Sequence, residues 1–173
     1  DELLGLDLSA AVPDHVFACN KEGVYVSTDA GMTFRKATGS ASIANGDLIQ
    51  DIKVSPVNPK RMVVWREGAN WQWKRFASSD EGENWKEATQ DSKNAFLPYN
   101  VRQGLFMWHP KDEKAVWSVG GDWPTRSDDG GQTWTWSGDG NNGVLIGGMW
   151  NFCALDPEVM GFGSQDYNGA LTT

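Results

Sequence analysis

Eight residues that return twice at nearly the same interval constrain this chain more than any other feature. Ser27-Thr28-Asp29-Ala30-Gly31-Met32-Thr33-Phe34 recurs as Ser78-Ser79-Asp80-Glu81-Gly82-Glu83-Asn84-Trp85 and as Ser127-Asp128-Asp129-Gly130-Gly131-Gln132-Thr133-Trp134, with Asp-to-Asp spacings of 51 and 49 residues. Each copy reads as a hairpin connector. Asp accepts backbone N–H groups across a tight turn, Gly permits a positive φ, Thr or Asn resumes the strand, and the aromatic ring packs beneath. A second marker keeps the same period: Val54-Ser55-Pro56, Trp108-His109-Pro110 and Leu155-Asp156-Pro157 each close an apolar strand with a proline that cannot donate to a ladder.

Between the markers the pattern is of strands, designated A to D in each copy. The second copy predicts Asp51 to Val54, Met62 to Trp65, Arg75 to Ser78 and Trp85 to Ala88. The third predicts Leu105 to Trp108, Ala115 to Val119, Thr125 to Ser127 and Trp134 to Ser137. No segment longer than a turn carries a 3.6-residue period. Four-stranded antiparallel units of about fifty residues are the repeat of an all-β propeller.

The octets carry a resemblance. They are similar to the Asp-box (BNR repeat) β-propellers, whose motif Ser-x-Asp-x-Gly-x-Thr-Trp is matched in full by the third copy. Phe34 replaces Trp in the first copy, and Asn84 replaces Thr in the second. The resemblance implies Asp-box hairpins and about three and a half blades: blade one over residues 3–39, blade two over 48–89, blade three over 104–138 and an incomplete blade four over 148–173. A ring closes with four to eight blades. The remaining blades are therefore expected from a longer polypeptide, the favoured source, or from a second copy.

Function in such a family ranges over sialidases, xyloglucan-type endoglucanases, sortilin-type receptors and photosystem assembly factors, so the site must be argued from residues. In an antiparallel meander the Asp-box turns share an end with the A-to-B turns, and the longer, dissimilar B-to-C and D-to-A loops share the other. Variable loops on a rigid scaffold are where binding and catalysis sit. That loop end collects Glu67, Asp122 and Asp166, with Trp71, Trp73, Trp123, Trp150, Tyr167, Asn168 and Arg102 in the same loops or at their rims. Flat rings stack on the apolar faces of sugars while carboxylates, amides and guanidinium groups bind hydroxyls. The expected partner is a glycan or polysaccharide.

If the chain hydrolyses that glycan it needs two carboxyl groups. Asp166, on the Gly-bounded loop Gly163-Ser164-Gln165-Asp166-Tyr167-Asn168-Gly169, resembles the Asp-bearing loop of xyloglucanase-type hydrolases, and Asp122 or Glu67 is its candidate partner. The alternative is a non-catalytic propeller binding a protein or glycan, of the receptor or assembly-factor type. A sialidase is a poorer fit: no Arg-Ile-Pro occurs, Arg66, Arg75, Arg102 and Arg126 form no assignable triad, and the net charge of -8 does not attract an anionic sugar.

Asp29, Asp80 and Asp129 are expected to be structural, and Trp85 and Trp134 to lie in the core. The acidic balance argues against nucleic acid, and no apolar run is long enough for membrane insertion. No cofactor and no metal site is expected. Gly138 to Gly143 fits GxGxxG without a surrounding βαβ unit. His15 and His109 are placed in separate A-to-B turns, which argues against a metal pair. Cys19 and Cys153 read as buried strand thiols too distant in blade order to bond. The glycan reading places the protein outside the cell or at the cell surface.

Overall fold

The computed structural model describes residues 2–44, 47–68, 72–90, 105–119, 124–137, 150–153, 155–163 and 170–172. Strands dominate. β1 (Gly5–Ser9), β2 (Val12–Asn20), β3 (Gly23–Ser27) and β4 (Arg35–Lys36) form a first antiparallel sheet in chain order. β5 (Leu48–Ser55), β6 (Asn58–Gly68), β7 (Gln72–Ser78) and β8 (Lys86–Glu87) form a second. In the third sheet, β10 (Leu105–Trp108), β11 (Val116–Val119), β12 (Thr125–Ser127) and β13 (Thr133–Trp136) pair antiparallel, and β9 (Thr89–Gln90) adds to β13 in parallel. β14 (Trp150–Phe152), β15 (Met160–Phe162) and β16 (Ala170–Thr172) make a three-stranded fourth sheet.

The expected strands recur with shifted limits. β5 and β6 run longer than expected because Leu48, Ile49, Ser55, Asn58, Arg66, Glu67 and Gly68 join the ladder through their backbones, which need no apolar side chain. Two elements lie outside the sequence expectation. A single helical turn, α1 (Ser40–Ala44), follows the first sheet; it buries Ile43 and Ala44 and is too short to show a period. Thr89 and Gln90, expected to begin a loop, instead cover the outer edge of β13, with the Thr89 N–H donating to the Gln132 carbonyl at 2.9 Å. Covering an edge strand protects its unpaired backbone groups.

The sheets stack face to face through two apolar cores. The first joins sheets one and two through Phe17, Cys19, Val24, Val26, Ile52, Val54, Met62, Val64 and Phe76, with Trp85 packed against it. The second joins sheets two and three through Val63, Trp65, Ala77, Phe106, Trp108, Val116 and Trp134. Fully buried Trp134 is a core ring as expected, and Trp85 is partly so. Polar groups pin the same seams. The Ser9 hydroxyl donates to the Ser55 carbonyl at 2.7 Å, the Val54 N–H donates to Asp7 at 2.8 Å, and the Trp108 indole donates to the Lys53 carbonyl at 3.1 Å.

Each repeated octet is a closed hydrogen-bond unit. In the third, the Ser127 hydroxyl donates to Asp129 at 2.7 Å while accepting from the Gly131 N–H at 2.8 Å. Asp129 also accepts from the N–H groups of Gln132 and Thr133, both at 2.9 Å. The indole N–H of Trp134 returns to the Gly131 carbonyl at 2.8 Å. The first and second octets repeat the Ser and Asp bonds with Ser27 and Asp29, and with Ser78 and Asp80. Gly31, Gly82 and Gly131 hold φ of 85°, 82° and 91°, the left-handed region that glycine enters without a Cβ penalty.

Candidate functional site

Three matching bonds fix which end of the sheets is which. The N–H groups of Ala30, Glu81 and Gly130 donate to the carbonyls of Asp14, Lys60 and Lys114, so every octet sits beside the start of the second strand of its own sheet. The β2-to-β3, β6-to-β7 and β11-to-β12 connections therefore occupy the opposite end, where the sequence places its candidate residues.

Of those residues, the side chains of Glu67 and Trp73 are described. They are directly paired across β6 and β7 at the last turn of the ladder. Gln50 on β5 donates to the Glu67 carboxylate at 2.5 Å and fixes its direction. Trp73 lies parallel to Trp65, with ring centroids 4.5 Å apart and planes 7° apart. One face of the Trp73 indole is therefore committed to the seam between sheets two and three, and the side chain remains half-buried. Trp150 is placed by its backbone in β14. Asp122, Asp166, Trp71, Trp123, Tyr167, Asn168 and Arg102 lie outside the described residues. A carboxylate held beside an indole can accept a hydrogen bond from a ligand hydroxyl while the ring packs on an apolar surface.

Among the described residues, Arg66, Arg75 and Arg126 are engaged elsewhere. Arg66 pairs with Asp47 at 3.3 Å, donates to the Ile43 carbonyl at 2.8 Å and lies 4.9 Å over the Phe76 ring. Arg75 donates to the Thr125 hydroxyl at 2.8 Å and lies 4.3 Å over Trp134. Its burial brings the guanidinium pKa down to about 9. Arg126 pairs with Asp128 at 2.6 Å. These positions serve seams and turns.

At the turn end the octet aspartates are saturated. Hydrogen bonds from the Ser27 and Thr33 side chains and the Thr33 N–H bring Asp29 down to about 2. Burial pushes Asp80 and Asp129 upward, but their combined bonds outweigh it. Asp80 accepts from Asn84, Ser78 and the Glu83 N–H, Asp129 accepts from Thr133, Ser127 and the Gln132 N–H, and both stay below the usual range. Carboxylates held ionised by their own turn are poor proton donors or acceptors near neutrality.

His15 lies within β2 rather than in a turn, because β2 starts at Val12. Its Nδ1 is 3.7 Å from Glu81 of the second octet. His109 follows β10 and packs edge-on to Phe152 of the fourth sheet at 5.2 Å. The expectation of two buried thiols holds for Cys19 alone. Cys153 is exposed because β14 ends at Phe152, one residue before it, and both thiols are free. Among the described residues no group of three or more His, Cys, Asp or Glu is arranged to hold a metal. No described helix is long and apolar enough to cross a membrane.

One cluster escaped the sequence reading. Asp7 and Asp51, on neighbouring first strands, are both raised by burial. Lys53 sits 3.2 Å from Asp51, and the Cys19 thiol beside them is pushed up to about 12 by burial and by the Asp51 charge. The alternation Gly5-Leu6-Asp7-Leu8-Ser9 was the available signal, since it puts Asp7 on the face opposite the two leucines.

An all-β chain of stacked antiparallel sheets is thus the class that the fold defines, and comparison with solved structures agrees. An ancestral GH74 enzyme superposes with a TM-score of 0.66 at 13% identity, over 99% of this chain and 25% of that one. A GH74 enzyme from Niastella koreensis gives 0.65 at 16% identity, over 99% and 28%. YCF48 bound to D1 peptide gives 0.55 at 12% identity, over 98% and 53%. All are propeller folds. The chain spans about a quarter of the GH74 chains and about half of the YCF48 chain. No family model matches the sequence, and no curated protein does.

Proposed function

We propose that the chain is part of an Asp-box β-propeller, with β1 to β4, β5 to β8 and β10 to β13 as blades, and that its loop end binds or cleaves a glycan. The observation that carries this reading is the pair Glu67 and Trp73, a carboxylate fixed by Gln50 next to an indole at the rim of the second sheet. Asp122 and Asp166 belong by topology to the equivalent connections of sheets three and four. Trp71, Trp123, Trp150, Tyr167, Asn168 and Arg102 supply stacking rings and hydroxyl-binding groups at the same end. In the hydrolytic form, Asp166 and either Asp122 or Glu67 act as the two carboxyl groups on opposite sides of the scissile bond. Their separation decides between retention, at about 5 to 5.5 Å, and inversion, at about 6.5 to 9.5 Å. A protein with this role works outside the cell or at its surface.

A second reading keeps the face and drops the chemistry: a non-catalytic propeller that binds a protein or glycan. It is supported by the fold shared with a propeller solved with a peptide bound. Reducing-end release and binding, measured separately on neutral plant and microbial polysaccharides, divide the two. Hydrolysis lost in Asp166→Ala and Glu67→Gln with binding retained supports the enzyme. Binding without hydrolysis in the parent protein supports the second reading, and neither activity on any polysaccharide removes the glycan reading.

A further inference from the structure

Along the seam between sheets one and two, base and acid come in pairs at both ends and out of balance in the middle. At the turn end His15 faces Glu81 at 3.7 Å and Arg35 holds Glu83 at 2.6 Å. At the loop end Arg66 holds Asp47 at 3.3 Å. Between them two carboxylates, Asp7 on β1 and Asp51 on β5, share one ammonium, that of Lys53, which stands 3.2 Å from Asp51. The crowding is set by the backbone. Gly5 brings β1 directly against Asp51, since a Cβ there would stand 2.9 Å from the Cys19 Sγ and 3.1 Å from the Asp51 Oδ1. Asp7 reaches across the seam to accept the Val54 N–H at 2.8 Å, and Asp51 accepts the N–H of Ile52 at 2.9 Å. Beside them the buried Cys19 thiol donates to the Ile49 carbonyl at 3.6 Å and adds no charge.

We infer that Asp7 and Asp51 form a proton-gated joint: a proton taken up by this pair closes sheets one and two on each other, and its release loosens that seam while the seam of sheets two and three is unaffected. The contrast lies in the residues. Sheets two and three are tied by Arg61 with Glu113 at 3.6 Å and by Arg75 donating to the Thr125 hydroxyl at 2.8 Å, guanidinium groups that stay charged through neutral pH. The direction of the joint follows from burial. It raises both carboxyl groups above the ordinary 3.8, outweighing the Val54 N–H bond at Asp7 and the Lys53 charge at Asp51, and the charge of Asp7 adds a smaller push on Asp51. Water reaching an opened seam returns them toward 3.8, so the closed seam binds more protons than the open one. That stabilisation is fully present below 3.8 and is lost as pH rises through the raised folded values. The opening equilibrium changes by at most about tenfold per pH unit for each proton.

Cys19 reports on the joint, because it lies within it and is one of two free cysteines. In a Cys153→Ser background, labelling by a dipyridyl disulfide, normalised at each pH to the urea-unfolded chain, measures how often the seam opens. Protection of Cys19 should rise several-fold from pH 7.5 to pH 4.5. In Asp7→Asn/Asp51→Asn it should be high and independent of pH, with circular dichroism checking the fold. If that pair does not fold, Asp51→Asn alone should raise protection at pH 7.5. The Trp134 indole N–H, in the seam of sheets two and three, should keep the same hydrogen-exchange protection at both pH values. Parent protection that is flat or falls on acidification overturns the inference. So does an equal change at Trp134, which puts the proton in global unfolding. A dependence that survives the Asn variants overturns it as well, and its loss in His15→Gln would then give the switch to the turn-end pair.

Discussion

Replacing one octet glycine at a time by alanine separates the cost of the turn from the cost of the seam. Gly31, Gly82 and Gly131 hold nearly the same backbone conformation, with φ between 82° and 91°. Each alanine therefore suffers the same left-handed penalty of roughly 1 to 2 kcal/mol. Their surroundings differ. At Gly31 the new methyl meets only Phe34 and Val16 at 3.9 to 4.0 Å, an ordinary contact. At Gly131 it would stand 2.3 Å from the Cγ1 of Val63, a fully buried residue whose branched side chain has one favoured rotamer. Relieving that overlap adds about 1 to 3 kcal/mol of overpacking. Gly82, with Trp85 at 3.2 Å and Ala37 at 3.4 Å, falls between. Urea unfolding followed by tryptophan fluorescence should rank the losses Gly31→Ala, then Gly82→Ala, then Gly131→Ala. The first and last should differ by roughly 2 to 12 °C in melting temperature for a chain of this size. Equal losses for Gly31→Ala and Gly131→Ala would refute the stacking of the third octet on the second sheet.

Three further outcomes follow from the same contacts. Ser127→Ala strands the buried N–H of Gly131 and should cost about 1 to 3 kcal/mol in equilibrium unfolding; a loss under about 0.5 kcal/mol would contradict the bond network. Asp51 is raised by burial, so its ionised form weakens the fold above its folded pKa, and that penalty disappears as pH falls toward 3.8. Asp51→Asn should therefore raise the melting temperature at pH 7 and lose that advantage near pH 4, whereas an advantage unchanged with pH would disagree. A thiol reagent at pH 8 should label exposed Cys153 promptly and Cys19, buried and pushed up to about 12, only after unfolding; two equally fast thiols would contradict the placement of Cys19.

The sheets were legible because the octets announce them. Ser, Asp and Gly at fixed offsets specify a turn whose Ser and Asp side-chain bonds are internal to eight residues, and the ring at the eighth position marks where the next strand resumes. Register was less legible. The strand expected over Asp51 to Val54 begins three residues earlier in β5, because Leu48 and Ile49 pair through their backbones with Glu67 and Arg66, two residues that the sequence places in a loop. β9 left no trace, since two residues in parallel pairing impose no alternation. Seam partners such as His15 with Glu81 and Arg75 with Trp134 are 66 and 59 positions apart, and the repeat alone does not say which faces meet. Of the candidate site, the sequence placed Glu67 and Trp73 at one end of one sheet. It did not foresee that Trp73 spends one ring face on Trp65, because stacking against a neighbour in the same sheet and stacking on a sugar select the same residue.

The proposed function puts ligand at the loop end and not at the octet end. The most direct test is a binding isotherm for a neutral polysaccharide, measured on the parent protein and on variants of each end. Saturable binding is expected, lost in Trp71→Ala/Trp123→Ala and kept in Val57→Ser and Lys111→Ala. Binding kept in the loop-end pair and lost in the turn-end variants would contradict it.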